Sequence, residues 1–288
     1  MAGRFEYTNE FLTNVQNQLS EQISKNADEF DLILYDRWLR DGPLFLRYVK
    51  TKRGDMNKTL SFLLTVLRWR KKNGISHLNE LSFPKEFYEI GGIHIYGQDR
   101  QGNVILHIRL CLYEKNLPFS ELLRKYGVYQ MFNADELGAS RGKGWVLLND
   151  FTNTGLTCCD IELATFVFST LANYYPYGMK YCLNHNLPWV LSAAKTLFFT
   201  ILPASAKKWM KFSNDQTIQE YIDKSELPPY MGGANNQVYP PAAPDGTVSY
   251  TEMIRNKSMA LTDEGEIRTE KYYKKVFRHL NEESTVSK

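Results

Sequence analysis

The sequence has few residues of the kinds that build disulfide frameworks or metal sites. Its cysteines show no CxxC spacing and its histidines form no HxxxH pair, and those spacings are typical of redox motifs and metal sites. We therefore expect a reduced, cytosolic chain that carries no metal and no other cofactor. The residues concerned are Cys111, Cys158, Cys159 and Cys182, and His77, His94, His107, His185 and His279.

Motifs of covalent catalysis are missing as well. The chain contains no GxxxxGK[ST] phosphate loop and no GxSxG nucleophile turn. Gly91, Gly92 and Gly97 enclose a strand pattern instead of opening a helix, so they form no dinucleotide fingerprint. Asp150 ends a predicted strand, where an α/β hydrolase would keep an acid, but a turn or helix-cap role is the simpler interpretation. We expect that the protein is not an enzyme.

A large excess of charge of one sign is also absent. The 35 Lys and Arg residues nearly balance the 32 Asp and Glu residues, which leaves a net charge of +3. This balance argues against a nucleic-acid partner, although a local basic patch would still favour an anionic surface. The first residues, MAGRFEYTNEFL, contain no continuous apolar segment, so we expect no secretory signal.

The most apolar stretch, LPWVLSAAKTLFFTIL at 187–202, is too short to cross a membrane. A helix over 189–202 would be about 21 Å long, against a hydrocarbon core of about 30 Å. Prolines bracket the stretch, and Lys195 near its centre would cost roughly 3 kcal/mol in a bilayer. We therefore expect no transmembrane helix here.

The same helix has an unusual distribution of aromatic residues. Its broad apolar face comprises Val190, Leu191, Ala194, Leu197, Phe198, Ile201 and Leu202. Trp189 and Phe199, in contrast, fall on the polar side together with Lys195. Two interpretations stay open: a neighbouring element covers these two aromatics, or they form an exposed patch for a membrane or a partner.

Hydrophobic periodicity predicts a helical N-terminal third followed by alternating strands and helices. Such alternation is typical of βαβ units, so the predicted fold is α/β with a mostly parallel sheet. The predicted helices are 9–24, 43–52, 55–73, 118–138, 160–175, 189–202, 214–227 and 264–280. The predicted strands are 93–96 and 104–110, which form a hairpin, and 143–150, 179–184 and 207–212.

The chain changes character after Gly232, where Pro, Gly and Asn become frequent and predict an extended segment. The last predicted helix, 264–280, combines an apolar face with five basic residues. We expect it to dock on the folded domain, and the alternative is a helix that lies on a membrane surface.

Five segments in order resemble the CRAL-TRIO lipid-binding domain family. YYPYGMKYCLNHNLPWVLSAAKTLFF at 174–199 is similar to the family's "YYPE…NaPwlF" signature, and ELPPYMGG at 226–233 to its terminal motif. The helical segment 46–74, the hairpin and WVLLNDFTNTGL at 145–156 match as well. Overall the chain most resembles the CRAL-TRIO part of motile-sperm-domain-containing proteins, whose adaptor domain and membrane anchor do not occur in this sequence.

The resemblance implies an N-terminal helical lobe at 1–75, a lipid-binding lobe at 76–235 and a C-terminal extension at 236–288. It implies a lipid cavity with the sheet as its floor and the helix over 189–202 as a mobile lid. The implied ligand-binding residues are Trp145, Leu147, Leu171, Leu197, Phe198, Ile201 and Lys208, and Trp189 and Phe199 would contact the membrane.

The identity of the ligand stays open at this point. Lys208 matches a lysine of the phosphatidylinositol-binding branch, but Tyr177 stands where that branch has Glu. The apolar residues at 145, 147 and 171 disfavour phosphatidylcholine, and a sterol-like, retinoid or tocopherol-like molecule is equally compatible.

The resemblance implies a cytoplasmic, peripherally membrane-bound protein that binds one lipid and transfers it between membranes without catalysis. The alternative function is that of a lipid-sensing adaptor that recruits a protein partner in membrane trafficking or signalling.

Overall fold

The computed structural model describes residues 5–158, 160–175, 178–202 and 204–286, without the side chains of 201, 204, 205 and 284–286. The chain divides into two compact units. The first contains the described residues up to Leu78 and the segment that begins at Ala164, and the second contains Asn79–Leu163 and the residues from Gly178 onward.

The first unit is helical. Its helices are α1 (Asn9–Lys25), α2 (Leu32–Arg40), α3 (Gly42–Lys50) and α4 (Met56–Asn73). They enclose a core that includes the fully buried Val15, Leu63, Val66 and Leu67. The predicted ends of α4 are confirmed, since the Asp55 side chain accepts from the Lys58 amide and Gly74 ends the helix at φ 63°. Helix α2 was not predicted from the sequence.

A buried ion pair supports the first unit. Asp31 accepts from the Leu34 amide at the start of α2, and its other carboxylate oxygen lies 3.6 Å from Nε of Arg70. Arg70 also donates to Ser76 at 2.8 Å. The neighbouring Trp69 stacks on Tyr174, with ring centroids 4.3 Å apart. The Trp-Arg pair at the end of α4 therefore has a structural role in this unit.

The helix α7 (Ile161–Tyr174) begins in the second unit and lies from Ala164 onward in the first. The carboxylate of Asp160 caps the start of the helix by accepting from the Leu163 amide at 2.9 Å. The phenol of Tyr113 donates to the second oxygen of Asp160.

The second unit contains a five-stranded sheet. Its strands are β1 (Ile93–Gln98), β2 (Val104–Arg109), β3 (Trp145–Asp150), β4 (Met179–His185) and β5 (Met210–Ser213), in the spatial order β1-β2-β3-β4-β5. β1 and β2 form the predicted antiparallel hairpin, and the pairs β2–β3, β3–β4 and β4–β5 are parallel. The predicted α/β class with a mostly parallel sheet is confirmed.

Six helices complete the second unit within the described part of the chain. They are α5 (Lys85–Glu89), α6 (Ser120–Ser140), α8 (Ser192–Ile201), α9 (Ala204–Lys207), α10 (Tyr250–Arg255) and α11 (Asp263–Val286). The strand predicted at 207–212 begins only at Met210, because Lys207 ends α9 and the next two residues form a turn. None of the described helices is both long enough and apolar enough to span a membrane.

The strand register defines two faces of the sheet. The first, which we call the floor face, carries Leu106, Ile108, Trp145, Leu147, Asn149, Cys182, Asn184, Met210 and Phe212. The second, which we call the closed face, carries Ile105, His107, Arg109, Val146, Leu148, Asp150, Tyr181, Leu183, His185 and Lys211. Its aliphatic residues pack with Ile218, Ile222 and Leu227 in one core cluster.

The prediction of a helix at 214–227 is wrong. The segment forms two 3-10 turns, Ile218–Glu220 and Lys224–Glu226. Asn214 accepts from the amides of residues 216 and 217, and Asp223 accepts from the amide and hydroxyl of Ser225. These local side-chain bonds compete with helical ones, and the apolar residues of the segment are buried against the closed face.

The C-terminal helix α11 docks on the second unit, as expected. Tyr272 donates to the Leu112 carbonyl at 2.8 Å, and Tyr273 stacks on Phe119. Val276 is also buried, whereas Ile267 is 67% exposed. Most of the apolar face of α11 is therefore covered by protein, which does not favour the membrane-surface alternative.

Candidate functional site

The floor face is accessible at the carboxyl end of its interior strands. The helix α6 covers the beginning of β3, where the indole of Trp145 donates to Asp135 at 3.2 Å. Toward the carboxyl end, Ile108 on β2 and Asn149 on β3 are only partly buried, although the other five residues of β3 are fully buried. Side chains of interior strands thus reach accessible space at the carboxyl end of the floor face.

Two amides lie side by side at this end. Asn149 donates to Oδ1 of Asn184 and to the Cys182 sulfur, both at 3.2 Å, and Asn184 donates to the Lys211 carbonyl at 3.2 Å. Burial raises the pKa of the Cys182 thiol to about 12, so this cysteine stays protonated and has no nucleophilic character at neutral pH.

The helix α8 meets the outer strand beside this end. Its Phe199 lies 6.2 Å from Phe212 between ring centroids, and the Lys195 ammonium lies 4.1 Å from the same ring. A 3-10 turn at Trp189–Leu191 precedes α8, so the α-helix begins three residues later than predicted. Trp189 is 86% exposed and Leu197 is 53% exposed. The helix therefore presents large apolar side chains to solvent.

Comparison with known proteins identifies the family. A family model described as the CRAL/TRIO domain matches residues 88–233, which is half of the chain. The chain belongs to the CRAL/TRIO family. The resemblance drawn from the sequence motifs is thereby confirmed at the level of the family.

Curated relatives match this CRAL/TRIO chain at low identity. A CRAL-TRIO domain-containing protein of Schizosaccharomyces pombe is 21% identical over 88% of the chain and 59% of its own length. The phosphatidylinositol transfer protein CSR1 of Eremothecium gossypii is 20% identical over 75% of the chain and 52% of its own length. The chain thus spans little more than half the length of these relatives.

The crystal structure of Sfh5 shares the fold. It aligns with a TM-score of 0.57 and 14% sequence identity, and the alignment covers 93% of this chain and 98% of that one. At this identity the likeness concerns the CRAL/TRIO fold alone.

The structure brings some of the predicted CRAL/TRIO ligand residues together. Trp145 and Leu147 both lie on the floor face and are fully buried, Trp145 beneath α6. Leu171 lies on the part of α7 that belongs to the first unit. Lys208 is exposed just after α9. The position of Tyr177 lies outside the described residues.

The exposure of the predicted lid residues differs from the exposure expected from their positions around the helix. Leu197, expected on the cavity side, is half exposed, whereas Phe199, expected at the membrane, is partly buried against Phe212. Phe198 is partly buried, Trp189 is almost fully exposed, and the side chain of Ile201 is not described. Their roles toward a ligand and a membrane remain predictions.

The neighbouring ionisable groups have structural roles. Asp150 is buried on the closed face, where Oδ1 accepts from the Thr152 amide at 2.9 Å, so the turn role expected for it is observed. His185 bonds with Ser213 and lies 3.4 Å from Asp215. Among the described residues no group of three or more His, Cys, Asp or Glu side chains is arranged to hold a metal ion.

The pair formed by Asn149 and Asn184 was not predicted from the sequence. Its only signal is an amide near the end of each of two otherwise apolar strands, LLN at 147–149 and CLN at 182–184. The register of β3 and β4 is needed to place the two amides opposite each other.

Proposed function

We propose that the chain binds one amphiphilic lipid on the floor face of its sheet, beneath α8, and exchanges it with membranes without covalent chemistry. The observation that carries this proposal is the accessible carboxyl end of the floor face, where Ile108 on the interior strand β2 is only partly buried. Membership of the CRAL/TRIO family, which is a lipid-binding and lipid-transfer family, supports it.

The surface around α8 fits a peripheral contact with a membrane. Trp189 and Leu197 expose apolar side chains that would enter the bilayer interface. Lys195, Lys207 and Lys208 are exposed nearby and would attract anionic lipids. We infer that α8 acts as the lid and moves toward the bilayer during exchange.

The lipid class proposed first has an anionic head group. The support is Lys208, which forms no ion pair with any described residue, and the relative CSR1 is a phosphatidylinositol transfer protein. Lys208 would meet the head group at the surface, while the acyl chains lie along the floor face. A less polar ligand remains the alternative, and likeness to the motile-sperm-domain proteins is part of the proposal only.

Transfer of fluorescent lipids between vesicles tests the proposal. Leu197→Asp should lower the transfer of every lipid about tenfold or more, because a charge on the lid opposes its entry into the bilayer. Lys208→Ala should lower the transfer of phosphatidylinositol and spare neutral lipids.

A leucine of equal exposure provides the control. Leu39 on α2 of the first unit is 50% exposed, so Leu39→Asp makes the same chemical change on another helix and should leave transfer unchanged. If Leu197→Asp and Leu39→Asp transfer lipid equally well, α8 has no role at the membrane. If no lipid binds to the unaltered chain, the proposed function is wrong.

A lipid-sensing adaptor is the second candidate. It is favoured by α11, which is docked through its apolar face and carries Arg268, Lys271 and Lys274 where solvent reaches them. A protein partner would then recognise this basic surface. Retention of transfer after removal of the segment that begins at Asp263, together with loss of a partner, would favour the adaptor.

A further inference from the structure

The amide of Asn149 has a fixed orientation. The Lys211 carbonyl only accepts hydrogen bonds, so the atom of Asn184 that faces it is Nδ2, and Oδ1 of Asn184 faces Asn149. Asn149 must then present Nδ2, because two facing oxygens would repel each other. This chain of bonds decides the orientation of both amides.

The fixed orientation leaves one acceptor unused. Both hydrogens on Nδ2 of Asn149 are engaged, one with Asn184 and one with the Cys182 sulfur. The remaining atom, Oδ1, accepts no hydrogen bond from any residue within the described ranges. Oδ1 is not one of the buried polar atoms that lack a partner, so solvent reaches it, and a ligand group that displaces this solvent must supply a hydrogen bond in its place.

The side chains around this oxygen indicate which kind of hydrogen-bond donor it would accept from. Asn149 is the one residue of β3 that is not buried, and it pairs across the sheet with the partly buried Ile108. The floor face carries no Asp, Glu, Lys, Arg or His among its residues on β2–β5. An uncharged acceptor among apolar side chains favours a neutral donor, and it repels a phosphate or carboxylate oxygen.

From these contacts we infer that Oδ1 of Asn149 accepts a hydrogen bond from the hydroxyl group of the bound lipid. The inference rests on the proposed function and adds a specificity-determining residue to it. The shared chemistry is a neutral lipid or lipid moiety with a free hydroxyl, and a sterol and a diacylglycerol are its two possible sources. Such a lipid is the less polar alternative of the proposed function, and it offers Lys208 no anionic head group.

Paired probes test this inference in the full chain. A fluorescent sterol with a free 3-hydroxyl and its 3-methyl ether have nearly the same shape, but only the first donates a hydrogen bond. The unaltered protein should bind the alcohol about tenfold more tightly than the ether. A diacylglycerol with a free hydroxyl and its methyl ether form the second pair and distinguish the two sources.

The variant Asn149→Leu removes the acceptor and keeps the volume. It should bind alcohol and ether within about twofold of each other, because the ratio cancels any general change in the floor. Asn57→Leu, on the exposed side of α4, is the matched control and should keep the tenfold preference. Circular dichroism checks the fold of each variant.

The binding preference of the unaltered protein tests the inference even if Asn149→Leu does not fold. Equal binding of alcohol and ether in both pairs overturns the inference, and so does an unchanged preference in a folded Asn149→Leu. Binding and transfer of phosphatidylinositol without any preference for the hydroxyl would reject this inference and keep the proposed function. Failure of every lipid to bind would reject the proposed function itself.

Discussion

The two faces of the sheet are built from the same five strands, yet one is covered by other residues and the other is accessible to solvent at its carboxyl end. The closed face is covered by residues that follow the last strand, among them Ile218, Ile222 and Leu227. The carboxyl end of the floor face keeps Ile108 and Asn149 accessible. Which face stays accessible therefore depends on the segments outside the strands that cover the sheet, since alternation along a strand supplies two faces that could equally well be buried.

The polar groups of the two faces differ in their hydrogen-bond partners. On the closed face, Arg109 donates to the Tyr239 hydroxyl at 2.8 Å and to both oxygens of Glu283 at 2.9 and 3.0 Å. Its guanidinium lies 3.9 Å from the centre of the Tyr230 ring. On the floor face, the single accessible amide keeps an unused acceptor. The terminal nitrogens of Arg109 are thus held by protein groups, although its Nε is buried without a partner, whereas the Asn149 oxygen is free to receive a ligand group.

The largest expected effect comes from breaking the network of Arg109, which is 3% exposed. Arg109→Met should lower the free energy of unfolding by about 3–5 kcal/mol, because it removes the buried guanidinium that pairs with the Glu283 carboxylate and donates to the Tyr239 hydroxyl. Urea denaturation followed by circular dichroism measures the change.

A surface pair provides the control for that measurement. Arg255 pairs with Glu252 on α10 and is mostly exposed, so Arg255→Met should change stability by less than about 1 kcal/mol. If Arg109→Met is as stable as Arg255→Met, the closed face does not depend on its ion pair.

A second, smaller effect follows from the stacked histidines of the closed face. His94 and His107 are buried with ring centroids 5.0 Å apart. Burial lowers the pKa of His107 to about 3 and also lowers the pKa of His94 well below its usual value. Both rings are therefore neutral in the folded protein, whereas in the unfolded chain they take up protons near pH 6.5.

Stability should consequently fall as the pH decreases from about 6.5 toward 3, since the unfolded chain binds more protons in this window. His107 alone should contribute about 2 kcal/mol between pH 6 and pH 4. His107→Gln should flatten the dependence by this amount, and His77→Gln, at an exposed position, should not. Identical pH profiles for the His107 variant and the unaltered protein would contradict the assigned neutral state.

Local patterns were sufficient for much of the fold, but not for contacts that depend on register. Asp55 and Gly74 mark the ends of α4 because a cap is a local interaction. The predicted helix at 214–227 failed because Asn214 and Asp223 form local turns that periodicity does not detect. The missed α2 has only Leu34 and Trp38 as buried residues, which is too few for a clear period.

The candidate site was less predictable than the fold for the same reason. Trp145 and Leu147 were placed on the sheet floor by resemblance, but the covering of Trp145 by Asp135 is a contact between elements. Asn149 and Asn184 are 35 residues apart and meet only through the β3–β4 register. A polar side chain in a strand faces a ligand space only where no other element covers that face of the sheet. The covering elements come from other parts of the chain, so the sequence of the strand alone does not predict it.

The smallest expected effect on global stability concerns the contact between α8 and the floor face. Phe212 is 39% exposed, and its ring contacts Phe199 and the Lys195 ammonium. Phe212→Ala should lower the free energy of unfolding by only about 1 kcal/mol, because an exposed aromatic contact contributes little. Hydrogen exchange of the α8 amides should nevertheless become several-fold faster, since local opening depends on this contact.

The closed face supplies the matching substitution. Ile222 is fully buried there, so Ile222→Ala should cost about 2–4 kcal/mol and leave local exchange of α8 unchanged under conditions where the protein stays folded. The two variants thus separate global stability from opening of the lid. If Phe212→Ala leaves the exchange of α8 unchanged, the helix is held by contacts other than Phe199 and Lys195. Opening of α8 would then not depend on its contact with Phe212, and a lipid would have to enter the floor face by another route.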